Sequence, residues 1–170
     1  DPPSTGCFPG PECGTNTGLT VLEGNPDPND LSDATVISEG ALPTDPEARL
    51  VVWDPDHDDN QVLIRVTGLP QFGRILLNDG PLPIDEDFDG VGDPEFTMAD
   101  LAAGRVKYDH YGGEQTADSF TFHAWDTEMS ATGMPTDEFG QPQGISGPFT
   151  FNINIVPVND APVQINPSTI

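Results

Sequence analysis

A chain of 170 residues with 5 Lys and Arg against 29 Asp and Glu carries a formal net charge of -24. Such a surface repels nucleic acid and anionic membrane, which excludes both as partners. No run approaches the ~18 consecutive apolar residues of a membrane helix, so no membrane insertion is expected, and 18 Gly with 19 Pro exclude long helices in favour of short strands broken by turns.

Residues 1–18 read as an irregular lead-in. No basic-then-apolar leader opens it, and the start at Asp1 is expected to be a processed or excised terminus. Cys7 and Cys13, the two cysteines, bracket CFPGPEC. A close pair without partner histidines reads as a local disulfide and an oxidising, extracellular setting. A zinc site would want four ligands and a tighter Cys-Cys spacing.

Leu19–Leu22 is a short apolar run, followed by a polar loop over Gly24–Asp33. Ala34–Ile37 and Arg49–Trp53 predict strands. Gln61–Thr67 alternates, with Val62, Ile64 and Val66 on one face against Gln61, Arg65 and Thr67 on the other. Arg74–Leu77 and Arg105–Tyr108 predict shorter strands. Between these two, Met98–Ala103 predicts one helical turn, with Thr97 and Asp100 as a capping box and Gly104 as its stop. Asp118–Trp125 turns Phe120, Phe122 and Ala124 inward. Thr127–Gly147 reads as a long surface loop. Phe149–Val156 puts Phe149, Phe151, Ile153 and Ile155 on one face and Thr150, Asn152 and Asn154 on the other. Seven or eight such strands predict an all-β fold, an antiparallel two-sheet sandwich of immunoglobulin type with one short helical turn.

The acids cluster, and clustered carboxylates repel one another unless a cation holds them. Calcium takes six to eight oxygen ligands, which short Asp-x-Asp segments supply from one loop. Asp54, Asp56, Asp58 and Asp59 follow the strand ending at Trp53, where Pro55 forces a turn. Asp85, Asp87, Asp89 and Asp93 lie in D-x-D-x-D-G-x-x-D, whose Gly90 permits the sharp bend of a calcium loop. Phe96 stands where an EF-hand would have its bidentate Glu, so the nearer likeness is the calcium loop of extracellular repeats. His57, His110 and His123 are too dispersed for a metal triad, and no nucleophile or zinc-protease motif is present. Trp53, Trp125, Tyr108 and Tyr111 are the candidate sugar platforms and are expected instead in the core or at its rim.

These motifs together resemble the cadherin-like repeat of chondroitin sulphate proteoglycans and large bacterial adhesins. The likeness is carried by SEG at Ser38–Gly40, DPDHD at Asp54–Asp58, VTGLPQFG at Val66–Gly73 and FTMADLAAGRVKYDHYGGE at Phe96–Glu114. DSFTFHAWD at Asp118–Asp126 and PVNDAP at Pro157–Pro162 complete it. The resemblance implies calcium at the junction between successive modules, with Glu39, Asp54, Asp56, Asp126, Asn159 and Asp160 as ligands. Asp109 and His110 are implied to brace the fold. Glu23, in LTVLEG, fits the first-strand acid as well as Glu39 does. The Asp85–Asp93 loop departs from the family pattern and rests on spacing alone.

The expected organisation is a disulfide-stapled extension over 1–32 able to supply a spare strand, a sandwich over 33–160, and a linker or next-module start over 161–170. The expected function is a non-enzymatic, extracellular, calcium-stabilised structural or adhesive module. It would serve as a link of a stalk or of a filament assembled by β-strand addition. Its partners would be copies of itself or neighbouring modules, with cell-surface or matrix glycans in addition. The alternatives are a calcium-dependent carbohydrate-binding module and an accessory domain of a secreted hydrolase.

Overall fold

The computed structural model describes residues 4–5, 18–24, 27, 29–39, 49–50, 52–53, 58, 60–83, 94–126 and 146–158. In chain order the strands are β1 (Ser4–Thr5), β2 (Leu19–Leu22), β3 (Thr35–Val36), β4 (Ser38–Glu39), β5 (Arg49–Leu50), β6 (Val52–Trp53) and β7 (Val62–Gly68). There follow β8 (Gly73–Leu77), β9 (Gly80–Pro81), β10 (Glu95–Thr97), helix α1 (Met98–Ala102), β11 (Val106–His110), β12 (Ala117–Asp126) and β13 (Ser146–Val156).

Two sheets form the sandwich, one of order β10-β7-β12-β13-β2 and one of order β3-β11-β8-β9; β1 pairs with β6 and β4 with β5. The inward residues of the alternating strands meet in one core. Val62, Ile64, Val66, Phe120, Phe122, Ala124, Phe151, Ile153 and Ile155 from the first sheet join Ile75, Val106 and Tyr108 from the second. Phe120 and Phe151 pack with ring centroids 5.0 Å apart and planes tilted by 34°, so aromatic contact adds to burial across the β12–β13 pair.

Local chemistry sets both ends of the helix and the turn of one hairpin. The Asp100 amide donates to Thr97 Oγ1 at 3.1 Å and the Thr97 amide to Asp100 Oδ2 at 2.8 Å, closing the capping box. Gly104 stops the helix at φ 69, a left-handed conformation that glycine adopts without steric cost. Asn78 and Asp79 both have positive φ and make the two-residue turn between β8 and β9.

Two features depart from a purely antiparallel sandwich. β2 pairs with β13 in parallel, Leu19 opposite Ile153 and Leu22 opposite Val156, and β4 pairs with β5 in parallel. Leu19 and Val21 turn into the core while Thr20 and Leu22 face outward. Thus β2, from the segment expected to be an extension, is the edge strand of the five-stranded sheet. β13 also begins at Ser146, three residues earlier than Phe149, because Ser146 finds Ala124 as a partner past an irregularity in β12.

Candidate functional site: the two ends of the sandwich

The strands run between two ends with different chemistry. At one end β7 begins, β12 finishes, and α1 follows β10, since Val62 pairs with Asp126 and Leu63 with both Trp125 and Thr97. At the other end β13 leaves the sheet beside β2. β12 between Asp118 and Asp126 spans about 25 Å at ~3.3 Å per residue, which sets the distance between the ends.

At the helix end, the Asp58 amide donates to Gln61 Oε1 at 3.1 Å and the Gln61 amide to the Asp58 carbonyl at 2.7 Å. That turn leaves Asp58 exposed immediately before β7. Asp126 closes β12 opposite Val62, so its backbone lies beside the same turn. β4 carries Glu39 and lies against α1. β6 ends at Trp53, so Asp54 follows directly on a strand. Asp54 and Asp56 themselves, the loop with Asp85, Asp87, Asp89 and Asp93, the closing Asn159 and Asp160, and Cys7 and Cys13 all lie outside the described residues.

At the exit end, Glu23 holds three segments together. Its amide donates to the Val156 carbonyl at 2.9 Å, while its carboxylate accepts from Val158 N at 2.9 Å and Gly113 N at 3.3 Å. Next to it the Gly24 amide donates to Nδ1 of buried His110 at 3.1 Å. Asp109, also buried, pairs with Arg74 at 2.7 Å. Burial pushes the Asp109 carboxyl above the usual range, and the Arg74 hydrogen bond and charge oppose that rise. Asp109 therefore ties β11 to β8 within the second sheet, and His110 ties that sheet to the β2 end.

Between sheets at this end, Asp118 accepts from Gln71 N and Phe72 N at 2.9 Å, from Ser119 N at 2.8 Å, and from the Tyr108 hydroxyl at 2.8 Å. A Cβ at Gly73 would stand 2.5 Å from Tyr108 Oη, so only glycine lets that ring lie across β8. Burial first, then the Asp118 carboxylate, push the Tyr108 phenol far above its ordinary value. Asp118 drew no functional reading from sequence. Its one signal is an isolated acid at the start of an alternating strand, and two of its partners are 46 and 47 residues away.

The sequence-predicted ligands do not gather in one place. Glu39, Asp58 and Asp126 belong to the helix end, whereas β13 finishes at the exit end. Of the two first-strand acids, Glu23 is the one beside that exit. Among the described residues no three His, Cys, Asp or Glu side chains form a metal-holding group. The donors at both ends are oxygens, which suits a hard divalent cation.

Four of the five basic residues are described with their side chains, and each is ion-paired: Arg65 with Glu95, Arg74 with Asp109, Arg105 with Asp100, and Lys107 with Asp79. A polyanion therefore meets a surface whose described cations are already neutralised. Of the candidate sugar-stacking rings, Tyr108 is buried and Tyr111 exposed; the side chains of Trp53 and Trp125 lie outside the described set.

The comparisons with known proteins agree with this architecture. The model of a family described as cadherin-like matches residues 35–155. The human FRAS1-related extracellular matrix protein 1 is 33% identical over 126 residues, 74% of this chain and 5% of the relative. Human chondroitin sulfate proteoglycan 4 is 31% identical over 116 residues, covering 66% of this chain and 4% of that protein. Extracellular matrix protein 3 of Lytechinus variegatus is 35% identical over 119 residues, covering 68% of this chain and 3% of its own length. The matched stretch is thus a small part of each of these proteins. On the extent of the family match and these identities, the chain belongs to the cadherin-like family.

Proposed function

We propose that the chain is a non-enzymatic, extracellular structural or adhesive module that works in series with other modules and is stiffened by calcium at their junctions. The observation that carries this reading is the division of acidic residues between the two ends of one sandwich. Asp58 and Asp126 stand at the helix end, and Glu23 stands beside the strand leading to Asn159 and Asp160 at the exit end. Half a ligand set at each end suits an ion held between one unit and the next. Asp54 and Asp56 would complete the first half, and Glu23, Asn159 and Asp160 the second. Asp85, Asp87, Asp89 and Asp93 would form a separate loop site.

The relatives are named as extracellular matrix proteins and a proteoglycan, which supports the extracellular setting. Neutralised carboxylates would turn a repulsive joint into a stiff one. Assembly into a filament by strand addition is the finer form of this reading, since the edge seat on β13 filled by β2 is one that a neighbouring copy's strand could take. Glycan binding is the second reading, and Tyr111 is its one exposed ring among the described residues.

The test is thermal unfolding of the purified chain in EGTA, in magnesium and across a calcium titration. A saturable, calcium-specific rise in Tm that Asp126→Asn weakens supports the proposal. A Tm indifferent to calcium overturns it.

A further inference from the structure

Six large apolar side chains are exposed among the described residues, and five of them lie at the exit end: Leu22, Leu69, Tyr111, Val156 and Val158. Single exposed apolar residues are ordinary, but their concentration at one end marks an interaction surface. Leu22, 65% exposed, sits opposite Val156 in the β2–β13 register, and both face away from the core. Val158 is tied to Glu23, the residue after Leu22, and the same Glu23 holds Gly113, two residues past Tyr111. Leu22, Tyr111, Val156 and Val158 are therefore grouped by one carboxylate clamp.

We infer that this apolar end is the docking surface for the folded module that follows in the same polypeptide, so that the junction is stiffened by apolar burial as well as by any ion. This rests on the reading of the chain as one module in a series. Three observations choose this occupant. The polypeptide leaves β13 through the patch, because Val156 and Val158 are part of it. The clamp on Val156 and Val158 fixes the direction of departure. The matched relatives are far longer chains, of which the module takes up 3 to 5%.

A polyanion is disfavoured because the described cations are ion-paired. A free second copy would bring a charge of -24 against another -24. A tether does not remove such repulsion but offsets it, because the high effective concentration lowers the entropic cost of docking.

The test joins two copies of the 170-residue chain head to tail and compares the tandem with the single chain by calorimetry in EGTA. The tandem is expected to melt several degrees higher, and Leu22→Ser with Val158→Ser is expected to abolish the rise while leaving the single chain's Tm unchanged. If that pair lowers the single chain's Tm, Tyr111→Ser alone serves as the second variant and is expected to reduce the rise. A tandem that melts with the single chain, or a rise that survives both sets of substitutions, overturns the inference. So does sedimentation showing that single chains dimerise through these same side chains, since the occupant is then a copy in trans. A calcium-dependent rise that survives the substitutions removes this inference and leaves the calcium junction standing; a patch-dependent rise in EGTA without any calcium response does the reverse.

Discussion

Glu23 and Val158 are 135 residues apart in sequence, yet the Val158 amide donates to the Glu23 carboxylate at 2.9 Å. The same carboxylate caps Gly113, so one acid ties the edge strand, the strand exit and the β11–β12 connection. Glu23→Ala removes two solvent-exposed hydrogen bonds to a charged acceptor, which costs about 1–2 kcal/mol. At roughly 2–4 °C per kcal/mol for a chain of this size, the expected fall in Tm is several degrees in EGTA. Glu39→Ala, at the other end, is expected to leave the Val158 amide protected in hydrogen exchange, whereas Glu23→Ala exposes it.

Calcium at ten times its dissociation constant adds about 1.4 kcal/mol for each site that binds only the folded chain. Two or three occupied sites would raise Tm by several degrees. Asp54→Asn and Asp126→Asn test the helix-end half site, and Asp87→Asn tests the separate loop. The variant that removes the larger share of the calcium response identifies the tighter site by calorimetric titration.

The corner built on Asp118 gives a sharper stability test. Tyr108→Phe removes one hydrogen bond at an unchanged ring and is expected to cost about 1–2 kcal/mol. Asp118→Ala takes the acceptor from three backbone amides, those of Gln71, Phe72 and Ser119, and from the Tyr108 hydroxyl, and is expected to cost about 3 kcal/mol or more. Urea unfolding of the single and double variants should be clearly non-additive, because both changes remove the same bond. In alkaline titration followed by phenolate absorbance, Tyr108 should ionise only when the chain unfolds.

His123 sets an acid sensitivity. Burial holds it below its ordinary value of 6.5, so just below that pH the unfolded chain binds more protons than the folded one. Its contribution to stability is full above pH 6.5 and is lost as the pH falls through the window beneath. His123→Gln is expected to flatten the dependence of Tm on pH between about 5 and 7; an unchanged slope would assign that dependence to other groups.

The proposed Cys7–Cys13 bridge closes a short loop, for which the chain-entropy relation gives about 2–2.5 kcal/mol, confined to the amino-terminal segment. Alkylation without reduction should leave both thiols unmodified in the mass spectrum. Replacing both by Ser should barely move the calorimetric Tm of the sandwich.

The alternation in Gln61–Thr67, Asp118–Trp125 and Phe149–Val156 determined by itself which side chains turn inward, because successive residues of a strand face opposite ways whatever their partner. The capping box at Thr97 and Asp100 was legible for the same reason, since both groups lie within one helical turn. Strand direction and partner were not local properties. Leu19–Leu22 reads the same in a parallel or an antiparallel seat, and only the open edge of β13 decided for the parallel one. Three-residue β10 exists because β7 offers it an edge. The acids divide likewise. Sequence spacing placed Asp54, Asp56 and Asp58 in one loop, but the choice of Glu23 over Glu39 as neighbour of the exit, and the convergence of Asp118 with Tyr108, came from contacts between distant segments. Such contacts form only when the two sheets bury their apolar faces against each other, and no local pattern encodes where that burial brings a lone carboxylate.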